Sequence, residues 1–228
     1  RRIGLVVELA EQAAHAALKP IAAPLEEEPV LTEEGLFLLR WLREKVRPYL
    51  TEKRARHVAG CEEQAVKLAR RWGADVYEAA EAGILHDITK KLSDEEQLIM
   101  CDKYGIILDA AERRNPRILH ARTGAALARE LFGIPDGIYS AIRWHTTGKP
   151  DMSLMEKIIY LADFTEPTRD FEGVEPLRKL CFEDIDRAME LGLRMSLEEI
   201  RSRGEDAYKD TVDAYQWYKK EQGGSATC

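Results

Sequence analysis

The stretch Ile84-Leu85-His86-Asp87-Ile88-Thr89-Lys90 sets an imidazole directly beside a carboxylate. On a helix such neighbours lie roughly 100° apart. Both can still reach a metal ion lying across the helix surface. Nitrogen and oxygen donors of this kind suit zinc, iron or manganese, and a carboxylate can give its two oxygens to two different ions. A His-Asp pair alone is common; the remaining histidines make this one informative. Of the five histidines, His15 stands alone among alanines, whereas His57, His86, His120 and His145 each fall on or near the end of a different expected helix. Asp163 occupies an equivalent place. Any one of these taken singly reads as an ordinary core or surface residue. Together they read as a site assembled between the helices of a bundle.

The elements that must position these residues follow from periodicity and capping signals. Leu36, Leu39, Leu42 and Val46 keep helical spacing until Pro48 stops it. Thr51 is an N-cap for a helix bearing His57 and the apolar stripe Val58, Cys61, Ala65, Leu68 and Trp72, with Gly73 at its end. Residues 74–91 read as the central helix, carrying His86, Asp87 and Lys90. Gly83 near its end would let another backbone approach closely. Ser93 with Glu96 forms a capping box for a short helix to Asp102. Pro116 suits the first position of a helix that carries His120 and ends at Gly133. Pro135-Asp136 opens another, with His145 near its end. A second capping box, Ser153 with Glu156, starts the helix that delivers Asp163 in its last turn. Residues 183–203 and 205–220 read as terminal helices, and Gly223-Gly224-Ser225 begins a loose tail. No convincing strand or repeat appears, so the expected fold class is all-α.

The chain has 228 residues and 45% hydrophobic content, enough for one packed domain with an extension. Residues 1–31 differ from the rest. An Ala-rich helical stretch precedes Pro20, Pro24, Pro29 and the run Glu26-Glu27-Glu28, which reads as an appended helix and acidic linker. The domain itself is expected over residues 32–222, with 223–228 as a disordered tail. A net charge of −7 argues against general nucleic-acid binding. It leaves room for a small anionic substrate held by local cations. No apolar run approaches the roughly 18 residues that span a bilayer, so no membrane association is expected. Residues 1–10 include Glu8 and no clear cleavage site, and do not read as a secretory leader. The first residue is Arg1, so a longer natural chain fits the sequence. Cys61, Cys101, Cys181 and Cys228 are scattered without a CxxC, which fits a cytoplasmic protein.

The ordered set His57, His86-Asp87 and Asp163 resembles the HD-domain metal phosphohydrolases, and the further His120 and His145 resemble the members that hold two metals. His145-Thr146-Thr147-Gly148, then Met152-Ser153-Leu154, Glu156-Lys157-Ile158-Ile159, Ala162-Asp163-Phe164, Glu166-Pro167 and Arg169-Asp170-Phe171 resemble the YqeK family of bacterial symmetrical diadenosine tetraphosphatases. The resemblance covers about residues 51–218 and implies an HD-type helical bundle. The chain departs from it at Phe164, where tyrosine is common, and at Lys209, where proline is expected. Carried over by position, His57, His86, Asp87 and Asp163 would hold one metal, and Asp87 would bridge to a second held by His120 and His145. The resemblance implies iron as the native metal, with manganese or another divalent ion as alternatives. It also implies a nucleotide substrate, and leaves a homodimer open.

Two metals would lower the pKa of a shared water towards hydroxide and clamp the oxygens of the attacked phosphorus. Asp87, the carboxylate beside a ligand histidine, is the expected bridge and catalytic group. Lys90, three residues on, would share its side of the helix and offset charge on the scissile phosphate; it equally suits a helix C-terminus. Thr146, Thr147 and Gly148 offer hydroxyls and backbone N–H groups to phosphate oxygens. Otherwise they form a plain helix end. Arg169 could reach a distal phosphate or stack on a base, and Arg54, one turn before His57, is a further substrate-binding candidate. The leading expectation is symmetrical hydrolysis of diadenosine tetraphosphate to two ADP. The alternatives are another nucleoside polyphosphate or a cyclic nucleotide as substrate, or a non-catalytic helical module that senses nucleotide.

Overall fold

The computed structural model describes residues 32–224. The appended helix and linker expected over residues 1–31 lie outside the described residues, as do His15 and residues 225–228. Among the described residues every regular element is helical. In order they are α1 (Glu33–Val46), a 3₁₀ turn (Arg47–Tyr49), α2 (Glu52–Trp72), α3 (Val76–Leu85), α4 (Asp94–Lys103), α5 (Ala110–Arg114), a second 3₁₀ turn (Pro116–Ile118), α6 (Leu119–Phe132), α7 (Asp136–Trp144), α8 (Leu154–Thr165), α9 (Val174–Glu183), α10 (Ile185–Ser202) and α11 (Lys209–Gly224).

Helix α3 is the hub. Val76, Ala79, Ala80, Ala82, Gly83, Ile84 and Leu85 are all buried, so this short helix is enclosed on nearly every side. It packs against α1, α2, α7 and α8. Its small residues permit that crowding. A Cβ on Gly83 would lie 2.9 Å from the Cα of Glu62 on α2, a distance real side chains do not tolerate. Glycine therefore lets the backbones of α2 and α3 close on each other. The longer helices are amphipathic. Helix α2 buries His57, Val58, Cys61, Ala65 and Leu68, and α8 buries Ile158, Ile159, Leu161 and Ala162.

The caps follow their residue chemistry. The Thr51 side chain accepts from the Arg54 amide. Ser93 and Ser153 each form a full capping box with Glu96 and Glu156. Asp75 caps α3 through the amides of Tyr77 and Glu78.

The central helix is shorter than the sequence suggests. It ends at Leu85, and residues 86–91 continue as overlapping turns. The Gly83 carbonyl, which the Asp87 amide would use in a continuing helix, accepts from His86 Nδ1 at 2.7 Å. Beyond that point the amides of Ile88, Lys90 and Leu92 bond three residues back, to Leu85, Asp87 and Thr89. Neighbours tie this tighter segment down: Thr89 Oγ1 donates to the His120 carbonyl at 2.9 Å, and Gln97 Nε2 donates to the Thr89 carbonyl at 2.7 Å. Lys90 accordingly stands in a turn, off the helix.

Three other expectations shift. Pro116 begins a 3₁₀ turn that precedes α6, so His120 enters in the helix's first turn. Helix α9, without a clear start signal in the sequence, fills the gap before α10. Helix α11 starts at Lys209 and runs to Gly224, past the expected start of the tail.

Candidate metal centre

Six side chains from five separate segments meet at one point. His57 comes from α2, His86 and Asp87 from the turn after α3, His120 from the first turn of α6, His145 from the end of α7 and Asp163 from α8. The four histidines and Asp87 are buried, while Asp163 keeps a fifth of its side chain exposed.

Asp87 stands at the centre with its two oxygens turned to different histidine pairs. Its Oδ2 lies 3.6 Å from His57 Nε2 and 3.5 Å from His86 Nε2. Its Oδ1 lies 3.3 Å from His120 Nε2 and 3.7 Å from His145 Nε2. Asp163 Oδ1 completes the first group, 2.9 Å from His57 Nε2 and 3.8 Å from His86 Nε2. Three overlapping sets bring their donor atoms within 4.8 Å of one another: His57, His86 and Asp87; Asp87, His120 and His145; and His86, His145 and Asp163.

The outer nitrogen of each histidine is already engaged. Nδ1 of His86, His120 and His145 donates to the carbonyls of Gly83, Arg117 and Ile142 at 2.7, 2.8 and 2.7 Å. His57 Nδ1 donates to Glu166 Oε1 at 3.1 Å. A carbonyl only accepts, so Nδ1 carries a proton in the His86, His120 and His145 rings and Nε2 is the nitrogen that faces the centre. Two pairs of Nε2 atoms face each other at 3.2 Å, His57 with His86 and His120 with His145. A proton can be shared between two such nitrogens, and a metal ion would take its place. Donors bound about 2.0–2.2 Å from one ion stand roughly 3–3.5 Å apart, so the set fits divalent metal.

The electrostatics point the same way. Burial would raise the Asp87 carboxyl, but the neighbouring His86 and His145 imidazoles hold it well below the usual carboxylate range. Asp163 is likewise held low against its burial, chiefly by His57. Burial opposes charge on His86, and Cys61 and Asp87 override it, pushing the imidazole well above its ordinary value. His120 is driven well below by burial and by Lys90. An ionised carboxylate between imidazoles attracts positive charge, which a proton or a metal can supply.

A cavity of about 800 Å³ opens from this centre. Lys90, Thr146 and Arg169 line it beside His120, His145 and Asp163. Lys90 Nζ lies 3.2 Å from His120 Nδ1, and burial lowers its pKa. Thr146 Oγ1 lies 3.2 Å from His120 Nε2. Arg169 binds Asp163 twice, Nη2 to Oδ1 at 2.7 Å and Nε to the carbonyl at 2.8 Å.

Three expected substrate-binding residues are placed otherwise. Thr147 is buried and its hydroxyl donates to the Gly148 carbonyl. The Gly148 amide donates to the Trp144 carbonyl at 2.9 Å, closing the end of α7. Neither lines the cavity: the Gly148 amide is spent on a carbonyl of its own helix, and the Thr147 hydroxyl on the carbonyl beside it. Arg54 is also outside the lining. Its Nη1 donates to Asp87 Oδ2 at 2.7 Å, so it braces the central carboxylate.

The sequence left two residues unassigned. Glu166 follows Asp163 by three positions and accepts from His57; the Glu166-Pro167 dipeptide was its only signal. A Cβ on Gly60 would stand 2.3 Å from Glu166 Oε2, so glycine on α2 makes room for that carboxylate. Arg178 on α9 reaches back to three carbonyls: Thr165 through Nε at 2.8 Å, and Glu166 and Arg169 through Nη2 at 2.9 and 2.6 Å.

A helical bundle with a His-Asp centre between its helices defines the HD-domain class, and the HD domain family model matches residues 54–168. The chain belongs to the HD-domain hydrolases of the symmetrical bis(5'-nucleosyl)-tetraphosphatase family. It is 38% identical to the enzyme of that name from Bacillus subtilis (strain 168), over 75% of this chain and 92% of the relative. It is also 38% identical to that from Halalkalibacterium halodurans, over 78% and 95%. A crystal structure from Clostridium acetobutylicum, described as a predicted HD superfamily hydrolase involved in NAD metabolism, superposes with a TM-score of 0.77 at 35% identity, covering 80% of this chain and 97% of that one. A second family model, a 3'DNA-binding domain, matches residues 1–52. Of that stretch, Glu33–Val46 forms α1, which packs on α3. No described helix is long and apolar enough to cross a membrane.

Proposed function

We propose that the chain hydrolyses diadenosine tetraphosphate at its central phosphoanhydride, giving two ADP, with two divalent metals, iron in the native protein. The observation that supports this most is the division of the Asp87 carboxylate between two histidine pairs at the base of a cation-lined cavity. His57, His86, Asp87 and Asp163 would hold one ion, and Asp87, His120 and His145 the other. Metal held there would supply Lewis acidity, lowering the pKa of a water and offsetting phosphate charge.

The remaining roles belong to the side chains around them. Lys90 and Arg169 line the cavity beside the centre and offer positive charge to the polyphosphate. Thr146 offers a hydroxyl beside His120. Arg54 holds Asp87 in place, and Glu166 holds the His57 ring. Addition of water to a central phosphorus breaks its bond to the bridging oxygen. The water oxygen stays on one ADP, the bridging oxygen leaves with the other, and the two protons of the water pass to the new terminal phosphates or to solvent.

Residues 32–222 form the catalytic unit in this proposal, with residues 1–31 appended. The scattered cysteines, three of them free and buried, support a cytoplasmic setting. Chromatography of the products from iron- or manganese-loaded protein tests the activity, with Asp87→Ala as control. ADP as sole product, absent in the control, supports the proposal. ATP with AMP, or no turnover with any metal, overturns it.

A further inference from the structure

The cavity is lined by two kinds of side chain. His120, His145, Lys90 and Arg169 are suited to metal or phosphate, whereas Tyr160 and Phe164 of α8, Phe171 of the following loop, and Met195 and Ile200 of α10 are apolar or aromatic. Phosphate chemistry has no use for that second set.

The three rings form a continuous run. Tyr160 and Phe164 stack with centroids 6.2 Å apart and planes 24° from parallel, and Phe164 meets Phe171 at 5.3 Å. Tyr160 is pinned through its hydroxyl to Ser196 at 3.1 Å. Phe164 and Phe171 are only half-buried, so they leave apolar surface on the cavity wall. The acidic side chains Glu172, Glu198 and Glu199 line the cavity too. Glu199 is paired with Arg203 at 2.7 Å and Glu198 lies 3.6 Å from Arg194, and carboxylate oxygens keep further lone pairs that accept hydrogen bonds from amino groups. The chain also fixes the spacing: Phe164 directly follows Asp163, and Phe171 stands two residues after Arg169.

We propose that Phe164 and Phe171 form the stacking ledge for a nucleobase, so that the cavity selects nucleoside polyphosphates over inorganic ones. The polyphosphate then runs towards Lys90, Arg169 and the histidines, while the base lies on the rings with its amino edge towards the carboxylates. Stacking on an aromatic side chain contributes enough to shift affinity by tenfold or more.

The inference builds on the phosphohydrolase reading but is tested by binding, separately from turnover. Calorimetry on manganese-loaded protein compares ADP with inorganic pyrophosphate. The wild type should bind ADP at least tenfold more tightly. Phe164→Ala and Phe171→Ala should each weaken ADP several-fold and leave pyrophosphate unchanged, with Phe164→Tyr restoring ADP affinity. Should Phe164→Ala fail to fold, Phe171→Ala on its loop carries the test. Equal wild-type affinity for the two ligands, unchanged ADP affinity in the variants, or parallel loss of both ligands each overturns the ledge. A wild type that discriminates yet leaves diadenosine tetraphosphate intact would sink the proposed reaction and keep the ledge.

Discussion

His57 and Glu166, far apart in the chain, meet through Nδ1 and Oε1 at 3.1 Å inside the protein. This contact turns the inward nitrogen of His57 onto Asp163 and Asp87. Outer partners of this kind typically account for 10–100-fold in metal affinity. Glu166→Gln keeps the shape and removes the charge, so metal affinity should fall by about that factor. Titration with a competing chelator measures it; an unchanged affinity would show that His57 needs no orienting partner.

The halves of the centre share one residue, Asp87. His120→Ala should therefore lose the ion on its own side and retain about one per chain, whereas Asp87→Ala should lose both. Elemental analysis of the two purified variants, beside the wild type, reads the difference. Equal metal content in both would contradict a shared carboxylate.

Arg178 touches no ligand, yet it holds the three carbonyls of the loop carrying Glu166 and Arg169. Hydrogen bonds from a charged donor contribute about 1.5–3 kcal/mol each. Arg178→Ala should lower the melting temperature and weaken metal retention together, and Arg178→Lys should recover only part, because one ammonium cannot span three acceptors as a planar guanidinium does. Normal metal retention in a destabilised Arg178→Ala would confine its role to stability.

Acidity should compete with metal. His86 is held well above its ordinary value, so at neutral pH the metal-free centre keeps a proton there that an ion must displace. Lowering the pH favours the proton. Metal affinity should thus rise with pH through the neutral range, by up to about tenfold per unit for one displaced proton. His120, pushed the other way, is already neutral and releases none. Calorimetry in buffers of different ionisation enthalpy counts the protons, and zero release at pH 7 would contradict this account.

The all-α architecture was legible because it rests on local signals. Thr51, Ser93 and Ser153 cap helices through chemistry confined to one turn, and the apolar stripe from Val58 to Leu68 repeats at helical spacing. The candidate ligands were legible for a related reason, since an imidazole or carboxylate keeps its donor chemistry in any setting. Where those donors point was decided by packing. His86 takes the Gly83 carbonyl and ends α3, which moved Lys90 off the helix. Thr147 and Gly148 carry plausible phosphate-binding groups, but the Gly148 amide closes α7 and the Thr147 hydroxyl bonds the Gly148 carbonyl. Glu166 and Arg178 act on partners in other segments, a relationship with no periodic trace in the chain. Short-range hydrogen bonding and side-chain chemistry are properties of the sequence itself; the direction of a buried side chain is set only when five segments close around one carboxylate.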